Sequence, residues 1–172
     1  MEPTEPKVYL RKPNTHDKFA LMSAYADSAT LHAKWTYPPN NFDSYIAQDH
    51  RYLVCHPQSN AILGTFNISG IVRGWFQSAY LGYEAFAPHQ RQGYMFAGLQ
   101  LVLHEAFNVL NLHRLEANIQ SDNIASIKLV QKAGFHQEGF SPKYLRIGNK
   151  EWKDHERWAI VNEHWIDTTV QQ

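Results

Sequence analysis

The chain has 172 residues, enough to bury a sizeable core, and its 16 basic and 16 acidic side chains leave no electrostatic case for nucleic acid or an anionic membrane. Aromatic residues at 13% argue against disorder, and the lone Cys55 excludes an internal disulfide and fits a reducing compartment. No apolar run approaches about 18 residues and Met1 to Pro6 is polar, so no membrane span or signal peptide is expected and the reading is a cytoplasmic protein.

In chain order, Lys7 to Lys12 alternates up to Pro13 and predicts a first strand. Asn14-Thr15-His16-Asp17 offers caps for a helix carrying Phe19, Leu21, Met22, Tyr25 and Ala26, with Asp17 in its first turn. Leu31 to Tyr45 gathers Trp35, Tyr37, Phe42 and Tyr45 around two prolines, either as an apolar cap over a sheet or as a mobile wall for a bound acceptor. Residues 51–55 and 61–68, joined by Pro57 to Asn60, predict a hairpin, and a turn near Arg73-Gly74 leads to a strand over 78–87. These make a three-stranded antiparallel meander. Phe96, Leu99, Leu103, Ala106, Phe107 and Leu110 then recur three or four apart, as on an amphipathic helix. A strand over 113–119 follows, and its link through that helix is the one place for a parallel crossover. Asn123 caps a short helix through Ala133, with Gly134 at its end, and residues 135–140 and 151–160 close the sheet. Trp158 and Trp165 place packed structure almost to the end of the sequence.

Between strand 78–87 and the long helix lies a polar loop, Pro88-His89-Gln90-Arg91-Gln92-Gly93-Tyr94-Met95. A strand, a glycine-bearing loop and a helix opening from it make an anion cradle, because the first-turn N–H groups point outward and the dipole adds positive charge. Pyrophosphate is the natural guest.

Gln90 to Met95 resembles the acyl-CoA pyrophosphate loop of the GNAT N-acetyltransferases, Q/R-x-x-G-x-G/A, with Met95 where the family prefers Gly or Ala. Farther on, Asn123-Ile124-Ala125-Ser126, Lys132-Ala133-Gly134-Phe135, Glu138-Gly139, Tyr144-Leu145 and Trp152-Lys153-Asp154-His155 follow in order. This series is similar to N-x-x-S…K-x-G-F…E-G…Y-L…W-x-D-H of the ribosomal-protein-alanine N-acetyltransferases, the Rim type within GNAT. The resemblance spans roughly residues 7–165 of one domain over 1–172 and implies a mixed α/β fold. In that fold a mostly antiparallel sheet, flanked by helices, opens at a central parallel split where CoA lies. Two further departures stand out: Phe96-Ala97-Gly98 occupies the place of the family's Thr-Glu-Ala, and Lys143 stands where one branch carries a glutamate, so no base is carried over there.

The reaction implied is attack of an amine on the thioester of acetyl-CoA, the co-substrate. It needs a neutral amine, donors for the developing oxyanion and a proton for the leaving thiolate. Glu84, a carboxylate on an apolar strand, is the candidate to take the amine's proton; alternatively, strand alternation simply turns it to solvent. By resemblance Ser126 lies near the thiol and Asn123 by the pantetheine arm; the alternative for the serine is ordinary capping chemistry in the first helical turn after Asn123. Tyr144 is a second candidate acid or a packing residue, and Cys55 reads as a small buried side chain. The catalytic candidates are thus Glu84, Ser126 and Tyr144, and the cofactor set is Phe86, Gln90, Arg91, Gln92, Gly93, Tyr94, Met95, Asn123 and Ser126. Ten histidines without H-E-x-x-H or paired spacing predict no metal.

The resemblance implies acetylation of a protein N-terminal α-amine, as on a ribosomal protein, by a monomer or homodimer without nucleic-acid or membrane partners. The alternatives are a GNAT acting on a small-molecule amine and a non-catalytic CoA-binding domain.

Overall fold

A computed structural model of the chain describes residues 6–148 and 150–168. The polar opening used to argue against a signal peptide lies, Pro6 excepted, outside the described residues. Seven strands form one sheet in the order β1-β2-β3-β4-β5-β7-β6. They are β1 Tyr9–Arg11, β2 Arg51–Cys55, β3 Ile62–Val72, β4 Ser78–Ala85, β5 Arg114–Ile119, β6 His136–Ile147 and β7 Glu151–Val161. Neighbouring strands are antiparallel except β4 and β5, which the long helix joins as a parallel crossover. The predicted mixed, mostly antiparallel sheet is therefore present, with its meander at β2 to β4.

Strand alternation distributes the core to two faces. Ala79, Leu81, Phe66, Ile68, Leu115 and Ala117 turn to the face covered by α4 (Tyr94–His104) and α5 (Ile124–Lys132). Leu53, Cys55 and Phe86 turn to the other, where they meet Leu21 and Tyr25 of α1 (Lys18–Asp27) and, beyond the four-residue α2 (Ala29–His32), Tyr45 of α3 (Phe42–Ile46). Full burial of a side chain such as Leu53 or Phe86 contributes about 1.5–3 kcal/mol. Both are wholly inaccessible.

Several elements differ from expectation. Asp17 is not in the first turn of an α-helix; it closes a capping box around the 3₁₀ turn Thr15–Asp17, accepting from Asn14 N while Asn14 Oδ1 accepts from His16 N. Arg11 grips the same carboxylate at 2.7 and 2.8 Å, tying β1 to the entry of α1. The aromatic segment 31–45 contains the end of α2 and most of α3, too short to show a helical period. The long helix ends in a π turn over Glu105–Val109, closed by Leu110 N donating to Glu105 O. β3 and β6 run longer than predicted, the latter through a bulge between Ser141 and Leu145.

The feature that positions the site is the end of the β4–β5 ladder. Only Ser78–Arg114, Ala79–Leu115 and Tyr80–Glu116 pair; beyond Tyr80 the two strands have no mutual register. A gap opens there in the middle of the sheet.

Candidate active site

β4 lines the gap with an unpaired edge. Phe86 N donates to Leu63 O on the β3 side, so by antiparallel alternation the N–H and C=O groups of Tyr83 and Ala85 turn the other way, into the gap. One of these is taken: His32 Nε2 lies 2.7 Å from Ala85 O. Ser28 Oγ accepts from Ala87 N at 3.0 Å, so α1 and α2 cap the outer end of the edge.

Consecutive residues of β4 then point to opposite faces. Glu84 is not turned to solvent. Its Oε1 accepts from Thr36 Oγ1 at 2.7 Å, and its Oε2 accepts from the Tyr25 hydroxyl and from Thr65 Oγ1 at 3.2 Å. Tyr45 Oη lies 3.1 Å from Tyr25 Oη, and because Tyr25 gives its one proton to Glu84, Tyr45 is the donor of that pair and extends the hydroxyl chain. Burial, then the charge of Glu84, pushes the Tyr25 phenol far above its ordinary pKa, and burial raises Tyr45 against the opposing Arg51 guanidinium. Both phenols therefore remain donors, and the carboxylate sits in a nest of hydroxyls.

On the other face Tyr83 reaches Ser126. Their hydroxyl oxygens are 2.5 Å apart, and burial raises the Tyr83 pKa although the Ser126 bond opposes it. A phenol that stays protonated can donate to Ser126 Oγ and leave the serine proton directed elsewhere. Asn123 is the N-cap of α5, its Oδ1 accepting from Ser126 N at 3.3 Å, so it holds the serine by its backbone.

The predicted anion loop leads into α4. Arg91 and Gly93 both have positive φ, +63° and +76°, a backbone that turns successive N–H groups to one side. The first helical bond is Ala97 N to Gly93 O, leaving the earlier amides of the turn without intrahelical acceptors. Gln90, Arg91, Gln92 and Gly93 are exposed, and Gln92 Nε2 donates to Pro88 O. Met95 turns inward: it packs against the core so tightly over β3 that a Cβ at Gly64 would collide with its Sδ. Its bulk is therefore absent from the outer surface of the loop. Lys7 Nζ lies 3.0 Å from where a Cβ on Gly93 would stand and 5.5 Å from the Tyr94 ring centroid.

The remaining candidates fall elsewhere. Phe86 is fully buried against Tyr25 and His32, with its N–H bonded to Leu63 O and its C=O accepting from His89 N. Its side chain fixes the end of β4 from behind. Tyr144 packs at 6.5 Å between ring centroids from His155 and, foremost among its neighbours, raises the pKa of Tyr80; it has no hydrogen bond to Glu84 or Ser126. Asp154 Oδ1 accepts from Lys143 N at 2.7 Å, and Glu116 pairs with Arg114 at 2.8 Å. Cys55 is inaccessible, and burial raises its thiol pKa.

A cavity of about 530 Å³ adjoins the Glu84 face, between the segment Trp35 to Asn40 and the β6–β7 hairpin at Arg146, Ile147, Gly148 and Lys150. Thr36 belongs both to its wall and to the shell of Glu84. The aromatic segment thus divides: Phe42 and Tyr45 cap the sheet, while Trp35 and Tyr37 line the cavity. Sequence reasoning missed Tyr83, Thr36, Tyr25, Thr65 and Lys7. Only Tyr83 left a signal, as a hydroxyl-bearing neighbour of Glu84 on an apolar strand. Among the described residues no three His, Cys, Asp or Glu side chains gather to hold a metal, and no helix is long and apolar enough to cross a membrane.

The family model for the acetyltransferase (GNAT) domain matches residues 7–136. The [Ribosomal protein uS5]-alanine N-acetyltransferase of Escherichia coli (strain K12) is 34% identical over 109 residues, covering 63% of this chain and 56% of that protein. A Bacillus subtilis (strain 168) protein named "Probable N-acetyltransferase YjcK" is 35% identical over 115 residues, 67% of this chain and 63% of that one. The chain thus spans between 56% and 63% of the length of these curated relatives. Among solved structures, the ribosomal-protein-S5-alanine acetyltransferase from Vibrio fischeri matches with a TM-score of 0.82 at 23% identity, covering 93% of this chain and 96% of that chain. A spermidine N-acetyltransferase from Vibrio cholerae, solved with CoA and spermine, matches with a TM-score of 0.75 at 20% identity, covering 92% and 98%. At these identities the likeness to the two structures is one of fold.

Proposed function

The chain belongs to the GNAT acetyltransferase family, and from that premise we propose that it transfers acetyl from acetyl-CoA to the N-terminal α-amine of a protein. The observation that carries this reading is the placement of Glu84 and Ser126 on opposite faces of one strand edge, beside the gap between β4 and β5. The co-substrate fits the residues present. Amides of the turn from Gln90 to Met95, with Lys7 above Gly93, suit a pyrophosphate, and the open edge of β4 suits an extended amide-bearing arm. When bound, acetyl-CoA supplies an activated carbonyl and a thiolate leaving group.

The chain's own groups account for the rest. The N–H groups of Tyr83 and Ala85 are donors placed to receive charge developing on a carbonyl oxygen in the gap. Glu84 attracts the acceptor ammonium and takes its proton, reaching the cavity by way of Thr36. Ser126, receiving a hydrogen bond from Tyr83, donates its O–H as a hydrogen bond to the departing sulfur, which stabilises the thiolate until it takes a proton from solvent. The inward course of Met95 removes the main objection to a functional loop and weighs against the non-catalytic reading.

The cavity wall bears on the acceptor. Among the described residues its wall carries Arg146 and Lys150 beside aromatic side chains and no carboxylate, which disfavours a polycation such as spermidine, although the adjoining cavity also holds Asp122 and Glu151. The E. coli relative acts, by its name, on an alanine of ribosomal protein uS5, which supports a protein α-amine. The test is mass spectrometry of the products from peptides bearing both an N-terminal Ala or Ser and an internal Lys, with spermidine as a parallel acceptor. Acetyl on the N-terminus is the expected result; acetyl mainly on lysine or on spermidine overturns the choice of acceptor.

A further inference from the structure

Two consecutive residues in the wall of the cavity beside Glu84 meet groups of opposite charge. Thr36 donates to Glu84 Oε1 at 2.7 Å, and the ring of Tyr37, next in the chain, has Lys150 Nζ 5.2 Å from its centroid. Backbone fixes the second contact: a Cβ on Gly148 would stand 2.8 Å from the Tyr37 ring, so the β6–β7 hairpin lies directly on it. Glu84, Thr36, Tyr37 and Lys150 therefore make a continuous path, negative at one end and positive at the other. It runs along an open cavity of about 530 Å³ whose lining also includes Arg146, and both cations are exposed to solvent.

Nearby carboxylates do not cancel the positive end. An adjoining cavity of about 270 Å³ shares Trp35, Tyr37 and Lys150, and adds Lys34, Lys153, Asp122 and Glu151. Glu151 holds Lys153 at 2.7 Å; its hydrogen bond and charge, and less strongly Asp122, raise the pKa of that ammonium. With that ion pair set aside, Lys34, Arg146 and Lys150 outnumber the remaining carboxylate, Asp122, among the described residues lining the two cavities.

We infer that the site selects peptides carrying an acidic residue shortly after the N-terminal amine, the ammonium entering at Glu84 and the acidic side chain lying against Lys150 and Arg146. A site of two opposite ends fits an acceptor of matching polarity. A polyamine brings nothing for the positive end and is repelled there, and a small neutral amine leaves that end unused. The path from Glu84 through Thr36 and Tyr37 to Lys150 spans less than about 18 Å, and an extended chain covers about 3.3 Å per residue, so the acidic residue falls among positions two to five. The inference rests on the peptide-acceptor reading and deepens it: charge near the N-terminus decides which peptides are taken. A contact this far from the reacting atoms acts alike on ground and transition states, so it lowers KM and leaves kcat near its value.

The experiment measures kcat and KM for alanine pentapeptide amides carrying one Glu, Gln or Lys at position two, three, four or five, in the wild type and in Lys150→Glu. CoA affinity and melting temperature serve as folding controls. At the best position the wild type is expected to favour Glu over Gln by about twofold to fivefold, the range for an exposed ion pair. Glu should be favoured over Lys by about fourfold to twenty-fivefold, since attraction and repulsion add. Both preferences should appear in KM and shrink as salt is raised. Lys150→Glu, at an exposed position, is expected to keep its fold and to lose the preference for Glu. A wild type that acetylates the peptides without regard to charge, or a Lys150→Glu variant that keeps the full preference, overturns the inference and leaves the peptide-acceptor reading standing. A wild type that acetylates none of the peptides removes that reading, and this inference with it.

Discussion

Glu84 announces itself in the sequence as a carboxylate among Leu81, Tyr83 and Phe86, but what surrounds it does not. Its donors Tyr25, Thr36 and Thr65 lie 59, 48 and 19 positions away, and only folding brings them together. The pair Tyr83–Ser126, 43 positions apart, was half legible: Ser126 from its place in an ordered motif, Tyr83 only as a hydroxyl beside Glu84 on an apolar strand. In the proposed mechanism these hydroxyls act as the thiolate leaves, so they matter to the transition state more than to ground-state binding. Ser126→Ala is expected to lower the acetyl-transfer rate by on the order of a hundredfold. CoA affinity measured by calorimetry should change only a few-fold. Tyr83→Phe should lower the rate in the same direction and by less, since the serine hydroxyl remains. A lowered melting temperature with intact turnover in Ser126→Ala would instead assign the serine to capping α5.

Elements were legible where a period had room to repeat. The long helix showed itself through Leu99, Leu103 and Ala106, and the anion loop through the single glycine before it. The helices α2 and α3, four and five residues long, left no period to read. At the loop, Gly93 has φ +76°, where a β-branched residue is strained, while a Cβ there meets only the mobile end of Lys7. Gly93→Val is therefore expected to weaken CoA binding beyond about tenfold, chiefly by refolding the loop. Lys7→Gln should weaken CoA binding several-fold, with a loss that shrinks as salt is raised, because Lys7 contributes charge at an exposed site. Calorimetry at two ionic strengths checks both. At the β1–α1 junction, the Arg11 guanidinium holds the Asp17 carboxyl below its ordinary 3.8. A carboxylate whose folded pKa is depressed contributes stability above the unfolded value and loses it as pH falls through the folded one. Asp17→Asn should thus destabilise the protein by about 1–3 kcal/mol near pH 7, with a loss that shrinks as the pH is taken well below 3.8, read from denaturant midpoints along that pH series.

At the scale of the whole molecule part of the strand order could be argued from the sequence, namely a meander at β2 to β4, a single parallel crossover through α4 and two closing strands, though not that β7 lies between β5 and β6. The gap could not. It exists because the β4–β5 ladder stops after Tyr80–Glu116 and the first turn of α5 stands against Tyr83, contacts between elements that no local period encodes. The gap is also what joins the two faces, giving Ser126 access from one side and Glu84 from the other. The central claim is that an α-amine enters from the Glu84 face and surrenders its proton there. An α-amino group has a pKa of about 7.7–8.0, so most of it is protonated at pH 6.5 and much less above pH 8. The most direct measurement is the pH dependence of kcat/KM for an N-terminal alanine peptide in the wild type and in Glu84→Gln. The ratio of wild-type to variant rate is expected to be modest above pH 8 and to grow steadily toward pH 6.5; a ratio near one, or one independent of pH, would contradict the claim.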